Sequence, residues 1–529
     1  MKSLTPRADF ENYIRMKALP EADLSSSLTG WVEKYSDRIA LKDEHRQLSY
    51  AGLLRESTGF AHWLSAHGLQ ADDRVLVQLP NSVNFFVVLF AVIRVGALPV
   101  LVLPGHRAHE AKGVHQTAGS SFYITQREHD GFGYESIATA LVGEGLPREG
   151  VVFVDDLDFS ALAAVSGTDT FPMPAIDDVA LLLLSGGTTN TPKLIPRTHA
   201  DYVLNFSEMA KACLLDQSSR YLCAVPVAHN FALGCPGVLG VLAVGGFAYL
   251  LPRPDILDFA EVVTREQITV TALVPALAEL LIEYLELGVE GFSSLMLLQV
   301  GAARFSEVSA QKLRALLDCE LQHIYGMAEG LLCFNRRFDP LSLKVSTQGR
   351  PLSIFDELRV VDEQGQPVIE GEVGELYVRG PYTIRGYYNN EEANHTGFDP
   401  DGFYKTGDLV RLDHGNNVVV VGRAKEQINR AGEKYSPADT EKVMLAWDRV
   451  VGCSIVGIEN ITEGDKAVFF IRSSGEHVTR EDVCRYLEAQ GVAGYKFPDE
   501  VVMVNSLPLT AVGKIDKKRL VASYAVAQD

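Results

Sequence analysis

Apolar residues along the first part of the chain alternate between helical spacing and short uninterrupted runs. The stretch from Ser49 to Gly68 has helical spacing, with Ser49 as a capping residue and Gly68 just past the end. Residues 73–80 predict a short buried strand, residues 81–96 a buried helix and residues 97–104 a second strand. This order of elements predicts an α/β fold with layered, largely parallel sheets.

The pattern changes toward the C-terminal end. Strand-rich sequence gives way to Ser436, Pro437 and Asp439, a combination typical of a helix start. Further apolar runs follow, with another helix predicted from near Thr479. The sequence therefore predicts a large N-terminal α/β domain and a small α+β C-terminal domain, assigned to residues 1–423 and 424–529.

One uncharged stretch, residues 232–251, is long enough to suggest a membrane span. It contains Pro236 and the adjacent Gly245 and Gly246, so a helix, a turn and a buried strand are predicted instead. Charges come too early at the N-terminus for a signal peptide, and seven dispersed cysteines without a CxxC pair are typical of free thiols. We therefore expect a cytoplasmic protein.

Composition narrows the classes of partner. The 529 residues are 47% hydrophobic and 22% charged, as in ordinary soluble proteins of more than one domain. The formal net charge of -20 disfavours nucleic acid and anionic membranes as partners. Small anions can still be bound locally.

The clearest local motif follows a run of four leucines. It comprises Ser185, Gly186, Gly187, Thr188, Thr189, Asn190, Thr191, Pro192 and Lys193. Glycines let backbone N–H groups converge, and the hydroxyls and the lysine add donors, so the loop suits a polyphosphate. It does not match a Walker A loop, and the alternative is a plain polar turn.

A second motif, HNFALGCPG at residues 229–237, places His229, Asn230 and Cys235 within seven residues. Such a group suits a binding pocket. The alternative is a buried loop whose cysteine only fills the core.

Further motifs follow in a fixed order after the phosphate-binding pattern. They are HNFALGCPG, QVGAARFS from Gln299, YGMAEG from Tyr325, YKTGDLV from Tyr404, GRAKEQINRAGEK from Gly422 and LPLTAVGKIDKK from Leu507. With these motifs the chain resembles the adenylate-forming enzymes, which include acyl-CoA synthetases, luciferases and nonribosomal adenylation domains. KLIPRTH, AHN, GMAEG, RGPYTIRGYY and QINRAGEK are most similar to free-standing aryl-acid adenylating enzymes of siderophore biosynthesis. Asn190 departs from the glycine usual in the loop, but asparagine tolerates a left-handed backbone.

This resemblance implies that a carboxylate attacks the α-phosphate of ATP, releasing pyrophosphate and leaving an acyl-adenylate, with Mg2+ as a cofactor. It implies that the loop, including Ser185 to Thr189 and Lys193, holds the phosphates and that Glu329 and Thr189 place Mg2+. The nucleotide-binding residues that it further implies are Gly301, Ala302 and Tyr325 along the adenine, Asp408 on the ribose, Arg423 near ribose and phosphate, and Gly326 and Met327.

The resemblance also implies that Lys514, carried by a mobile small domain, contacts both the carboxylate and the α-phosphate. Lys425 matches the hinge, and His229 would stand beside the carboxylate entry. From the residues alone, Asp408 is equally a turn aspartate, Glu329 a solvated helix residue and Lys514 a surface lysine.

For the aryl-acid pocket, the resemblance implies Asn230 on an ortho-hydroxyl and Phe231 against the ring, with Ile324, Leu332, Cys235 and Lys514 also lining the substrate. Enzymes that select 2,3-dihydroxybenzoate usually have serine at the position of Cys235 and valine at that of Leu332. A thiol pairs a 3-hydroxyl poorly. We therefore expect salicylate, followed by 2,3-dihydroxybenzoate and other ortho-substituted acids.

The sequence contains no carrier-domain serine motif and no condensation-domain histidine motif. The acceptor is therefore expected to be the phosphopantetheine thiol of a separate aryl carrier protein or domain. Lys517, Lys518 and Arg519 could suit an acidic carrier, or could form a solvated helix end. The alternatives are an aryl-CoA ligase that uses free CoA, and a catalytically silent binding protein.

Overall fold

The computed structural model describes residues 2–164, 171, 173–185, 192–253, 255–303, 305–413, 415–430, 433–458, 465–475 and 477–528. Within these ranges the polypeptide forms a large N-terminal domain and a small C-terminal domain. The core of the large domain lies on both faces of two extended sheets.

The first sheet has six strands in the described ranges. In spatial order they are Leu194–Thr198, Val179–Leu184, Leu98–Leu101, Arg74–Gln78, Phe122–Thr125 and Val151–Phe153. All neighbouring pairs are parallel except the first. Every residue of Val179–Leu184 is buried, because the four-leucine strand lies inside the sheet and is covered on both faces.

The second sheet has nine strands over the same ranges. In spatial order they are Arg350–Pro351, Leu332–Phe334, Glu320–Gly326, Leu297–Val300, Val270–Leu273, Arg220–Cys223, Phe247–Leu250, Ile39–Lys42 and Gln47–Ser49. Its central pairs are parallel and its edge pairs antiparallel. The predicted α/β class with largely parallel sheets is confirmed.

Helices cover these sheets. Those described in the large domain are Arg7–Arg15, Leu24–Tyr35, Tyr50–Ala66, Val83–Val95, Ala108–Ala118, Glu135–Gly143, Phe159–Ala164, His199–Ala212, Asn230–Gly234, Gly237–Ala243, Ile256–Arg265, Pro275–Glu286, Glu307–Leu316, Leu341–Ser346 and Glu391–Gly397. The side chain of Ser49 accepts a hydrogen bond from the Gly52 N–H, and Gly96 ends Val83–Val95 in a left-handed conformation. The early helices and strands predicted from periodicity are therefore confirmed.

The uncharged stretch begins differently from the prediction. A short helix, Asn230–Gly234, precedes the helix Gly237–Ala243 and the buried strand Phe247–Leu250, so the HNFALGCPG motif is partly helical rather than a loop. In the part of the chain that the structure describes, no helix is long and apolar enough to cross a membrane.

An antiparallel sheet completes the large domain. Its described strands are Glu357–Val361, Val373–Arg379, Tyr404–Asp413 and Asn417–Arg423. The register of the last pair sets Asp408 opposite Arg423. A separate two-stranded ribbon comprises Glu128–His129 and Phe132–Gly133.

The small domain contains the strands Ile428–Arg430, Glu433–Tyr435, Val450–Ile458, Lys466–Ser473 and Glu500–Met503, with the helices Pro437–Leu445, Arg480–Ala489 and Lys517–Gln528. The helix predicted from near Thr479 is confirmed as Arg480–Ala489, and Thr479 caps it in a reciprocal capping box with Asp482. Ser436 occupies the N-cap position, but its hydroxyl donates to the Val421 carbonyl instead of capping the helix. The side chain of Asp439 lies outside the described residues, and the boundary between residues 423 and 424 stays a prediction.

A tight hairpin attaches the small domain to the large one. Leu509 pairs with Ile515 at its base. A Cβ atom on Gly105 would lie 3.1 Å from the Ala511 Cβ, and one on Gly513 only 2.7 Å from Val274 Cγ2. The hairpin is thus wedged between two segments of the large domain.

Two ion pairs flank this contact. Lys442 of the small domain lies 3.1 Å from Glu307, and Arg472 lies 2.9 Å from Glu283. All four side chains are partly exposed, so these pairs orient the docked domain more than they stabilise it.

A buried histidine joins two helices of the large domain. The Leu24 N–H donates to His199 Nδ1 at 3.1 Å, and burial lowers the pKa of His199 to about 4. In an unfolded chain the pKa of histidine is about 6.5. Because unfolding then takes up a proton, this group lowers the free energy of unfolding as pH falls from 6.5 through 4.

We predict that His199→Asn, which keeps a neutral acceptor but removes the titration, flattens this acid limb by up to about 1.4 kcal/mol per pH unit. Denaturant unfolding of wild type and variant between pH 4 and pH 7 measures it. Parallel pH profiles for the two proteins would contradict the assignment.

Candidate active site

A cleft of about 2320 Å³ opens between the two domains, and Asp408, Arg423, Tyr325 and Lys514 line it. These residues come from four separate motifs of the sequence. The domain contact therefore brings the predicted nucleotide-binding residues and the predicted catalytic lysine to one cavity.

Asp408 is a buried carboxylate held from two sides. The Tyr325 hydroxyl donates to Oδ2 and Arg423 Nε donates to Oδ1, each at 2.7 Å. Burial raises the pKa of Tyr325 well above its usual range, so the phenol remains a donor. A carboxylate has about four lone-pair sites. The two hydrogen bonds orient Asp408 and leave acceptor capacity for further hydroxyl groups.

The wall beside Asp408 is built from residues without space for larger side chains. A Cβ atom on Gly301 would lie 3.0 Å from both Ile324 Cβ and Phe231 Cζ. Ala302 follows with a φ of 67°. The wall is therefore thin at Gly301, where the cleft and the side chain of Phe231 meet.

The next part of this wall is equally close-packed. A Cβ atom on Gly326 would lie 2.5 Å from Leu332 Cδ2, because the two residues face each other in adjacent strands. The Met327 N–H donates to the Leu331 carbonyl at 3.1 Å and closes the turn. Gly326, Met327 and Leu332 thus form one compact unit, although they were predicted to serve different ligands.

The described ends of the phosphate-binding loop are joined to each other. The Ser185 N–H donates to the Lys193 carbonyl, and the Lys193 N–H donates to Ser185 Oγ, each at 3.0 Å. Gly186, Gly187, Thr188 and Thr189 lie outside the described residues, so their predicted contacts stay predictions. These hydrogen bonds join Ser185, which follows the strand Val179–Leu184, to Lys193, which precedes the strand Leu194–Thr198.

Glu329 is buried, which excludes the solvated alternative. The Tyr387 hydroxyl donates to Glu329 Oε1 at 2.9 Å and lies 3.0 Å from the Tyr404 hydroxyl. Lys193 Nζ lies 4.7 Å from the centre of the Tyr387 ring. The tyrosine therefore links the loop lysine to the carboxylate.

A magnesium ion would find one protein carboxylate here. Within the described residues, Glu329 Oε2 accepts no hydrogen bond and no cluster of three or more metal-ligating side chains occurs. Mg2+ is typically held by one or two carboxylates together with phosphates and water. The donor set fits an ion that arrives with the nucleotide.

Lys514 enters the cleft on the hairpin. Burial and the charge of Arg423 lower the pKa of Lys514, whereas Asp408 and Glu329 oppose that shift. Burial and Lys514 lower the pKa of His229 to about 4, so the imidazole is neutral at pH 7. Lys514 therefore interacts electrostatically with both His229 and Glu329, so the three predicted catalytic residues lie in one environment.

The HNFALGCPG motif forms a largely buried cluster of side chains behind Gly301. The Phe231 N–H donates to His229 Nδ1 at 3.2 Å, which caps the short helix. Asn230 Nδ2 donates to Cys235 Sγ at 3.4 Å. Burial raises the pKa of Cys235 to about 12, so the group is a neutral thiol. The amide of Asn230 and the thiol of Cys235 therefore lie next to each other in this cluster.

The hinge and basic-cluster predictions have different outcomes. Lys425 lies exposed in the short turn Ala424–Glu426, and its hinge role stays a prediction. Lys517 pairs with Glu426 at 3.1 Å and with Glu441 at 3.2 Å. Lys518 and Arg519 are exposed, and the role of the cluster toward an acidic carrier stays a prediction.

Sequence reasoning missed the side chains that support Glu329 and Asn230. Tyr387 contacts both Glu329 and Tyr404. Tyr202 contacts Asn230, and Arg197 lies next to this pair. The available signal was Arg197, a charged residue inside an apolar strand. Such a residue is almost never buried unless paired.

The fold and the cleft together define an enzyme that adenylates a carboxylate. Residues 28–388 match the family model "AMP-binding enzyme", and residues 439–514 match "AMP-binding enzyme C-terminal domain". The chain belongs to this family of AMP-binding enzymes.

Three comparisons describe its relatives. The chain is 40% identical to the 2,3-dihydroxybenzoate-AMP ligase of Bacillus subtilis, over 98% of this chain and 97% of that protein. It is 41% identical to the salicyl-AMP ligase / salicyl-S-ArCP synthetase of Mycobacterium tuberculosis, over 95% and 91%. The apo structure of MbtA from Mycobacterium smegmatis is 38% identical, with a TM-score of 0.74 and 98% of both chains covered.

We predict that Asp408→Ala raises the apparent KM for ATP at least tenfold, because each lost charge-assisted hydrogen bond costs about 1.5 to 3 kcal/mol. The KM for the acid should change less. Asp401→Ala is the matched control, since it removes a carboxylate paired with Arg359 on the same sheet. Steady-state kinetics with ATP varied measures the effect. An unchanged KM would make Asp408 only a structural residue of its strand, which already excludes the turn alternative.

Proposed function

We propose that this enzyme activates an aryl acid, salicylate in the first place, to aryl-AMP and transfers it to a carrier thiol. The reaction consumes ATP and releases pyrophosphate. The acceptor is the phosphopantetheine of an aryl carrier protein in siderophore-type nonribosomal peptide synthesis. The observation that carries this proposal is the close packing of Phe231 against Gly301, which supports an aryl-acid site next to the nucleotide cleft.

The proposed division of labour follows from charge. Attack by one anion on another needs both to be positioned and their charge to be neutralised. Lys514 would supply a cation to the carboxylate and the α-phosphate, and neutral His229 would admit the carboxylate without adding a competing charge. Asp408 would fix the ribose. Mg2+, held by Glu329 and Thr189, would neutralise charge on the departing phosphates when bound.

The choice of ring rests on Asn230 and Cys235. An ortho-hydroxyl beside Asn230 would find an amide, whereas a neighbouring 3-hydroxyl would meet the thiol of Cys235. A thiol is a weak partner, and a poorly paired buried hydroxyl costs about 1 to 3 kcal/mol. This supports salicylate over 2,3-dihydroxybenzoate, which is the alternative substrate.

The acceptor and the compartment complete the proposal. Relatives named for AMP-ligase activity and for salicyl-S-ArCP synthesis support a carrier as acceptor. Aryl transfer to free CoA is the alternative, and comparing CoA with a holo-carrier as acceptor separates the two. The seven free cysteines support a reducing cytoplasm.

The salicylate proposal predicts a substrate ratio. Wild type should favour salicylate over 2,3-dihydroxybenzoate by about tenfold or more in kcat/KM, and Cys235→Ser combined with Leu332→Val should shrink that ratio. Aryl-acid-dependent pyrophosphate exchange measures both. A wild-type preference for the catechol, or a ratio untouched by Cys235→Ser, would remove the role given to the thiol.

The two-state use of Lys514 predicts that the half-reactions separate. Lys514→Ala should reduce adenylate formation by several orders of magnitude, yet still transfer acyl groups from supplied acyl-adenylate to the carrier. Gly513→Ala should act in the same direction, because its φ of 78° and its contact with Val274 leave no space for a side chain.

The control is Gly513→Ala combined with Val274→Ala, which relieves the clash and should restore part of the adenylation rate. Separate assays of pyrophosphate exchange and of acyl transfer give the readout. Equal losses in both half-reactions would refute the two-state use of the hairpin.

A further inference from the structure

Arg197 is a fully buried cation behind the aryl pocket, with a relative exposure of 0%. It donates from Nε to Asp201 at 2.8 Å, from Nη1 to the Ala328 carbonyl at 3.0 Å and from Nη2 to Asn205 Oδ1 at 3.2 Å. A buried ion pair is weak evidence for stability, since an apolar replacement is often as stable. Its three-way hydrogen bonding indicates a positioning role instead.

The first branch of this network reaches the thiol. Because Arg197 donates to Asn205 Oδ1, the amide nitrogen of Asn205 must face the opposite way. It donates to the Gly234 carbonyl at 2.5 Å and lies 3.9 Å from Cys235 Sγ. The guanidinium thereby fixes the backbone that carries Cys235.

The second branch reaches Asn230. The Arg197 guanidinium carbon lies 5.0 Å from the centre of the Tyr202 ring, and the Tyr202 hydroxyl donates to Asn230 Oδ1 at 3.0 Å. Burial keeps the pKa of Tyr202 well above its usual range, so the hydroxyl stays protonated. With Oδ1 engaged, Asn230 turns its Nδ2 donor toward Cys235 and the pocket.

We propose that Arg197 and Tyr202 are positioning residues that hold the Asn230 amide as a hydrogen-bond donor, and so select an ortho-hydroxyl over an ortho-amine. A hydroxyl oxygen accepts from this donor. The nitrogen of an aromatic amine accepts poorly because its lone pair is delocalised into the ring, so two donors would face each other. This inference rests on the proposed aryl-acid activity.

Tyr202→Phe is the sharpest test, because it removes only the hydroxyl that holds Asn230 Oδ1. The amide can then rotate and present Oδ1 to an ortho-amine. We expect wild type to favour salicylate over 2-aminobenzoate by about tenfold or more in kcat/KM, and Tyr202→Phe to lower that ratio at least about threefold. The KM for ATP should stay constant in the variant.

Tyr50→Phe is the matched control. Tyr50 is also fully buried, and its hydroxyl donates to the backbone carbonyls of Leu242 and Gly246, outside the pocket. It should keep the wild-type ratio. Arg197→Lys retains the charge but replaces the planar fork of donors with a compact ammonium group, so it should lower the ratio in the same direction as Tyr202→Phe.

The outcomes separate the two proposals. A ratio unchanged by Tyr202→Phe, or lowered equally by Tyr50→Phe, overturns the positioning role while leaving aryl-acid activation intact. Absence of pyrophosphate exchange with every aryl acid in wild type overturns the proposed function and this inference with it. A lowered ratio confined to Tyr202→Phe and Arg197→Lys supports both.

Discussion

Lys514 lies in the cleft because the hairpin of the small domain is wedged between Gly105 and Val274. The ammonium group then lies near Arg423, which disfavours its charge, and near Asp408 and Glu329, which favour it. The cost of bringing a cation into this cleft is offset by carboxylates of the other domain. Docking of the small domain and the charge balance around Lys514 therefore form one constraint. The predicted adenylation chemistry depends on this constraint.

The carboxylates meet this constraint because neighbouring side chains hold them in place. Asp408 is oriented by Tyr325 and Arg423, and Glu329 by Tyr387. Tyrosines serve here because burial keeps them protonated and able to donate. Tyr202 orients Asn230 in the same way. Tyrosine hydroxyls therefore orient polar side chains on both the proposed nucleotide side and the proposed aryl side of the cleft.

Much of this arrangement could be predicted from local sequence. The capped helix Tyr50–Ala66 and the buried strand Val179–Leu184 follow from spacing and composition alone. Asp408 and Lys514 were expected from the resemblance of their motifs to the adenylate-forming enzymes, although only the fold brings them to one cleft.

Contacts between distant segments could not be predicted in this way. No periodicity pairs Tyr387 with Glu329, or Lys517 with Glu426 and Glu441. Ser436 is an example. Its sequence context is that of a capping residue, but its hydroxyl donates a hydrogen bond to the Val421 carbonyl instead. Tertiary partners compete with local ones, and the sequence signal contains only the local ones.

The most direct test of the docked arrangement is a cross-link between Gly105→Cys and Ala511→Cys. The Cβ separation of 3.1 Å at this pair is close to the roughly 3.5 to 4.5 Å of a disulfide. The oxidised double variant should still form aryl-adenylate but lose transfer to a holo-carrier, and reduction should restore transfer. Undiminished transfer by the cross-linked protein, or loss of adenylate formation on cross-linking, would contradict the account.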